Sequence, residues 1–138
     1  MRIKLLSACV AFGFLLPALP VSAHHSFAAE FDGNKPITLK GAITKVDWMN
    51  PHIWVYLDVK DDKGEVTHWQ CEGGPPNTLT RNGWTRDALK SGDQVTIDGS
   101  LAKDGSKTCN ARAILLPDGK RVFAGSSGGD APAPAAKQ

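Results

Sequence analysis

A hairpin pattern in the middle of the chain limits the folds that this sequence can adopt. From Ile53 to Val59, aliphatic residues alternate with polar or aromatic ones, which is the two-residue period of a β-strand with one buried face. A turn signal follows at residues 61–64, and residues 65–71 run back as a second strand. Because a lone hairpin is at best marginally stable in water, the chain must cover the aliphatic face with further elements.

The two strands of this hairpin also have a predicted register. On the buried face, Val55 is expected opposite Trp69 and Ile53 opposite Cys71, because slipping by one residue would bury a histidine. The outer face then carries the pairs Tyr56–His68, Trp54–Gln70 and His52–Glu72.

Further elements on both sides of the hairpin predict the fold class. Residues 37–47 alternate with a shift of one, as expected of a long strand bent by a bulge, and more strands are predicted at 94–101, 110–116 and 122–123. A short helical connection at residues 78–81, capped by Asn77, separates the third and fourth strands.

This order of elements predicts an all-β chain with a short helical connection. The expected architecture is a small five- to six-stranded barrel like the oligonucleotide- and oligosaccharide-binding (OB) fold. A small antiparallel sandwich or roll is the alternative.

The two ends of the chain are expected to lie outside this domain. Residues 1–23 have the basic start, apolar run and small-residue end of a secretory signal peptide, with cleavage after Ala23. Residues 24–36 are interpreted as an N-terminal lead, residues 37–125 as the OB-like β domain and residues 126–138 as a disordered tail. The apolar run is too short for a stable membrane anchor, so we expect a periplasmic or secreted protein.

The charge balance bears on possible partners and activities. The chain has 16 Lys and Arg residues against 14 Asp and Glu, but Arg2 and Lys4 leave with the signal peptide, so 16 less two leaves 14 against 14. Proteins that bind nucleic acid through its phosphates normally carry a basic surplus, so nucleic acid is not an expected partner. No nucleophile motif or phosphate-binding loop is recognisable either, which favours a non-catalytic role.

Two cysteines, Cys71 and Cys109, remain after processing. In an oxidising compartment one disulfide between them is the default expectation. In a simple OB-like barrel, however, Cys71 ends the third strand and Cys109 begins the fifth. These strands are parallel neighbours, so the two residues are expected near opposite ends, beyond the roughly 7 Å Cα separation that a disulfide spans. The bridge and the predicted strand order are therefore in tension.

Six short motifs are distributed along the chain. They are HHSFA at 24–28, NPH at 50–52, EGGPP at 72–76, GW at 83–84, LKSGDQVTIDG at 89–99 and LPDG at 116–119. Together they resemble a family of small exported proteobacterial proteins of unknown function. The resemblance implies an exported single-domain protein, and it implies no reaction and no catalytic residues.

A first candidate site lies at the expected mature N-terminus. Cleavage after Ala23 makes His24 the first residue, and a terminal histidine can bind copper through its amine and its imidazole, which is also suited to zinc. His25, His52 and Glu72 are the other candidate ligands, if the lead folds over the turn before Ile53. The alternative is that His24 and His25 form an unliganded polar end.

A second candidate site is the outer face of the hairpin. Its candidate ligand-binding residues are Trp54, Tyr56, His68 and Gln70. Aromatic residues on this surface of an OB-like barrel can stack on sugar rings or bases, so a small ligand, a glycan or a periplasmic protein is the expected partner. The alternative is that the lead, through Phe27 and Phe31, or a second subunit covers this face.

Overall fold

The computed structural model describes residues 27–125. The expected signal peptide, the cleavage point after Ala23, the histidines His24 and His25 and the expected tail at residues 126–138 lie outside the described residues. The elements are α1 (Phe27–Glu30), β1 (Phe31–Asp47), β2 (Trp54–Lys60), β3 (Val66–Glu72), α2 (Pro76–Arg81), β4 (Gln94–Ala102), β5 (Thr108–Leu115) and β6 (Arg121–Phe123).

The strands join into a closed ring of pairings. β1 lies between β2 and β4, and the antiparallel pairs β2–β3 and β4–β5 extend the sheet on both sides. A short parallel pairing of β3 with β5 closes the ring, and β6 adds to the outer side of β5. The prediction of an all-β chain with a short helical connection is confirmed, and the ring has the strand order expected of an OB-like barrel.

The long first strand pairs with two neighbours, with β4 along its first part and with β2 along its last part. β1 has 17 residues, and its register against β2 shifts between Ile43 and Lys45, which is the bulge that the sequence pattern predicted. At Gly41 a Cβ atom would lie only 2.3 Å from the Asp58 carbonyl oxygen, so a side chain here would push β1 away from β2. β1 begins at Phe31, inside the segment expected to be the lead.

The interior of the ring is a single aliphatic core. Its largest fully buried side chains come from the inward faces of four strands, the residue before β2 and α2, and they are Ile43, Ile53, Val55, Leu57, Leu79, Ile97 and Ile114. Trp84 closes the core after α2, where its indole N–H donates to the Phe123 carbonyl oxygen at 2.8 Å and its ring lies 6.4 Å from the ring of Trp48. The two helices in the described part of the chain are too short to cross a membrane.

The hairpin register differs from the prediction by two residues. Val55 pairs with Cys71, Leu57 with Trp69 and Tyr56 with Gln70, so the expected pairs Val55–Trp69, Ile53–Cys71, Tyr56–His68 and Trp54–Gln70 are wrong. The turn is the reason. The Asp61 carbonyl oxygen accepts a hydrogen bond from the Gly64 N–H, and the Asp61 N–H donates to the Glu65 carbonyl oxygen. Gly64 has a φ of 86°, and the loop that these bonds close is longer than assumed. A shift of two preserves which face each side chain occupies.

The cysteines form a disulfide, with their Cα atoms 4.5 Å apart. The expectation that an OB-like ring would separate them was wrong, because the parallel strands are staggered. The last residues of β3 lie beside the first residues of β5, so Cys71 pairs directly with Cys109. Strands of a closed sheet must be staggered in this way, and a strand's sequence does not reveal the stagger.

The short helix also begins differently from the prediction. Asn77 is not its cap, because α2 begins at Pro76 and the cap position is Pro75. Proline is favoured in the first turn, where its missing N–H leaves no hydrogen bond unmade. The helix therefore starts two residues earlier, without a side-chain cap.

Replacing both cysteines with alanine should lower the free energy of unfolding by about 3–4 kcal/mol, since the bridge spans a sequence separation of 38. Urea unfolding followed by tryptophan fluorescence measures the change. A reductant should lower the midpoint of the wild type and leave that of the double variant unchanged. Equal midpoints for the oxidised wild type and the variant would contradict a stabilising role.

Candidate functional site

The predicted outer face is formed by alternate residues of β2 and β3. Trp54, Tyr56 and Gln70 are half-buried, and His68 is the most exposed of the four, with 84% of its side chain accessible. Tyr56 and Gln70 are directly opposite each other, whereas Trp54 lies opposite Glu72. The structure thus brings the four predicted residues onto one surface, and their ligand-binding role stays a prediction.

Gln70 is fixed in place by the strand that closes the ring. Its backbone N–H donates to the Lys107 carbonyl oxygen at 3.1 Å, and its side-chain amide donates to the Thr108 hydroxyl oxygen at 3.0 Å. Thr108 is also the direct strand partner of Gln70 in the parallel pairing. The centre of the face is therefore anchored to β5 by both backbone and side chain.

Two depressions lie on either side of this anchor. The larger, of about 650 Å³, is lined by Trp54 together with α1, the end of β4 and the β4–β5 loop. The smaller, of about 270 Å³, is lined by Tyr56, His68 and the residues before β5. Gln70 and Thr108 line both depressions, so the face is one surface divided by their hydrogen bond.

Charged groups at the rim of the face are paired. Asp58 lies 2.6 Å from His68, joining the carboxylate to the imidazole Nδ1. Lys45 bonds to Asp47 at 2.8 Å while its ammonium lies 5.3 Å from the centre of the Tyr56 ring. The hydrogen bond to Asp47 raises the pKa of Lys45, so this side chain stays cationic beside Tyr56.

The corner before β2 holds the second pair of predicted residues. His52 Nδ1 is hydrogen-bonded to a carboxylate oxygen of Glu72, although the strand partner of Glu72 is Trp54 and the predicted pair His52–Glu72 is wrong as a register pair. The next residue, Ile53, makes two backbone hydrogen bonds to the segment after Glu72. Its carbonyl oxygen accepts from the Gly73 N–H at 2.9 Å, and its N–H donates to the Gly74 carbonyl oxygen at 3.2 Å. A Cβ atom at Gly73 would come within 2.6 Å of the Ile53 side chain, so glycine permits this close packing.

The described part of the lead lies against the domain. Phe31 is buried, and the ring of Phe27 stacks on it at 5.8 Å. Lys103 holds the segment by two bonds, from its backbone N–H to the Glu30 carbonyl at 2.8 Å and from its ammonium to the Ala28 carbonyl at 2.6 Å. The lead thereby forms one wall of the depression beside Trp54 and does not line the one beside Tyr56 and His68.

No cluster of three or more His, Cys, Asp or Glu side chains that could hold a metal ion exists within residues 27–125. His52 and Glu72 are together, but His24 and His25, the remaining candidates for a metal site, lie outside that range. Cys71 and Cys109 are joined to each other.

Sequence reasoning missed the contribution of the β4–β5 loop and the start of β5. Thr108, Ser106 and Lys103 all border the face, yet none belongs to an alternating pattern that would single it out. The strand order could have predicted this contribution, because an OB-like ring places the β4–β5 loop beside the second and third strands.

A family model matches residues 14–111, more than half of the chain, and is described as a family of unknown function, DUF6152. The chain belongs to this family. The match includes all the predicted site residues and both bridged cysteines, and it ends within β5. Comparison with curated proteins and with solved structures finds no match.

The pairing of His52 with Glu72 predicts one imidazole tautomer. An ionised carboxylate only accepts hydrogen bonds, so Nδ1 must carry the proton and neutral His52 must leave Nε2 unprotonated. Nitrogen-15 NMR of the neutral ring should show this tautomer.

The matched variant is Glu72→Leu, which should return His52 to a mixture of tautomers while His68 keeps its signals beside Asp58. A neutral His52 ring with its proton on Nε2 in the wild type would show that Glu72 does not orient this ring.

Proposed function

We propose that this chain is an exported, non-catalytic binding protein whose outer face takes a small ligand, a glycan or a partner protein. The residues that carry the function are Trp54, Tyr56, His68 and Gln70. The observation that best supports the proposal is the position of two half-buried aromatic side chains beside an anchored glutamine on the β2–β3 surface. In OB-like barrels this surface and the adjoining loops commonly take ligands.

The aromatic and polar groups of this face are arranged as in a ligand-binding surface. A binding surface needs aromatic area and a few fixed polar groups that set the orientation of the ligand. Trp54 and Tyr56 supply the area, while the bond to Thr108 fixes the Gln70 amide. The His68 side chain is exposed and one of its ring nitrogens is engaged by Asp58, which leaves Nε2 available to a partner.

Export to the periplasm or beyond is part of the proposal. The signal-like segment at residues 1–23 and the resemblance to exported proteobacterial proteins support it. The disulfide adds independent support, because such bridges persist in oxidising compartments and are rare in the cytosol.

The double variant Trp54→Ala plus Tyr56→Ala should lose binding to its ligand. Each stacked ring contributes about 1–3 kcal/mol in base-stacking sites, so the pair should weaken binding by at least about tenfold. Glycan arrays and pull-downs from periplasmic extract, compared between wild type and variant, measure the loss.

Met49→Ala is the matched control, because Met49 is 50% exposed and does not line either depression. Should the double variant retain every partner of the wild type, the aromatic face has no binding role.

A second candidate function is copper or zinc binding at the processed N-terminus. The His52–Glu72 pair favours it, since metal-binding histidines commonly donate their other ring N–H to a carboxylate. On this hypothesis His24, His25 and His52 supply the ligands, and Glu72 orients His52 in place of binding the metal itself. When bound, copper or zinc would supply Lewis acidity, or redox chemistry in the case of copper.

Metal binding at this site requires that the signal peptide is removed so that His24 is the first residue. Protein that begins at His24 should bind Cu(II) tightly, and one extra residue before His24 should weaken binding by at least about tenfold, because the terminal amine is then lost as a ligand. His52→Asn should also weaken binding, whereas His68→Asn, which alters the other histidine–carboxylate pair, should not. Calorimetric titration that gives equal affinities for all forms would exclude this site.

A further inference from the structure

The depression beside Trp54 is more than an extension of the aromatic face, because four different segments build its walls. Trp54 and Gln70 come from the hairpin, and Ala29 and Phe31 come from the start of the described chain. The end of β4 and the β4–β5 loop form the remaining walls. Its volume of about 650 Å³ lies within the range of roughly 300–1,000 Å³ that is usual for small-ligand sites.

The residues that line the depression include both apolar and hydrogen-bonding side chains. Trp54, Phe31, Ala29 and Ala102 supply apolar surface. Hydrogen-bonding groups are supplied by the Gln70 amide and by oxygen atoms on Asp104, Ser106 and Thr108. This combination fits a ligand with a flat apolar face and hydroxyl groups around its edge, as a sugar ring has.

The charges around the depression disfavour an anionic ligand. Lys103 is the cation among its lining residues, and its ammonium already donates to the Ala28 carbonyl at 2.6 Å. Glu30 and Asp104 also line it. Hydrogen bonds from Ser106 hold the pKa of Asp104 below its ordinary value, so this carboxylate remains an acceptor for hydroxyl groups. An anionic ligand would therefore meet the Asp104 carboxylate beside an ammonium that is already engaged.

We infer that this depression binds a neutral oligosaccharide, with one sugar ring stacked on Trp54 and its hydroxyl groups bonded to Gln70 and Asp104. The inference rests on the proposed function, and it narrows the ligand to one chemical class and one end of the face. Tyr56 and His68 line the smaller depression, so they lie next to this site and outside its walls.

Two neighbouring alanines in α1 offer a matched pair of variants. Ala28 and Ala29 are both exposed, but only Ala29 lines the depression. Ala29→Trp should fill the site, while Ala28→Trp adds the same bulk outside it and keeps the backbone carbonyl that Lys103 requires. Neither variant alters Trp54, Tyr56, His68 or Gln70.

The test is a calorimetric and NMR titration of the exported protein with cellotetraose, maltotetraose and chitotetraose, with tetragalacturonate as the anionic probe of equal length. We expect at least one neutral probe to bind, to shift the indole N–H signal of Trp54, and to bind more tightly than the anionic probe. Ala29→Trp should weaken that binding by at least about tenfold, the equivalent of one lost ring contact, and Ala28→Trp should leave it unchanged.

Three results would overturn the inference. They are preference for tetragalacturonate, equal affinity in both tryptophan variants, and no binding of any neutral probe. The proposed function fails separately, because it is the Trp54→Ala plus Tyr56→Ala variant that tests the face. If that variant loses a protein partner while none of the neutral probes binds the wild type, the face is functional and the glycan inference is wrong.

Discussion

The parallel pairing of β3 with β5 is the contact on which the rest of the structure depends. It comprises only three residue pairs, yet it turns a row of strands into a closed ring and removes the β3 edge at that end. The Cys71–Cys109 bridge lies at the middle pair, with both cysteines fully buried. A short parallel ladder contributes few hydrogen bonds, so a covalent link at its centre is an effective way to hold it.

The same seam organises the proposed binding surface. The residue before Cys71 is Gln70 and the residue before Cys109 is Thr108, and these two point outward where the cysteines point inward. Closing the ring therefore places the Gln70 amide against the Thr108 hydroxyl and brings the β4–β5 loop beside Trp54. Fold stability and site geometry thus share one set of contacts.

Much of this arrangement could be predicted from sequence because local patterns record local geometry. The shift of alternation after Ile43 recorded the bulge in β1, and the alternation from Ile53 onward recorded which β2 side chains face outward. The register was missed because it depends on the turn, where Gly64 adopts a left-handed conformation and lengthens the loop. The helix start was missed because Pro76 begins the first turn where Asn77 had been expected as the cap.

The remaining parts of the site depend on long-range geometry that no local pattern contains. Cys71 and Cys109 meet because the strands are staggered around the ring, which follows from closure and not from the sequence of either strand. Likewise Lys103 holds the lead through bonds to backbone carbonyls at Ala28 and Glu30, and backbone acceptors have no sequence signature. The outer face was therefore predictable, while the walls around it were not.

The disulfide-linked seam holds the proposed binding face in shape. NMR spectra of the protein with the bridge oxidised and reduced can be compared under conditions where both forms remain folded. Reduction should shift the signals of Gln70, Thr108 and the Trp54 indole. The signals of Thr38 and Asp98, which are direct partners in the β1–β4 pairing, should stay unchanged. Unchanged signals at Gln70 and Trp54 would contradict this role of the seam.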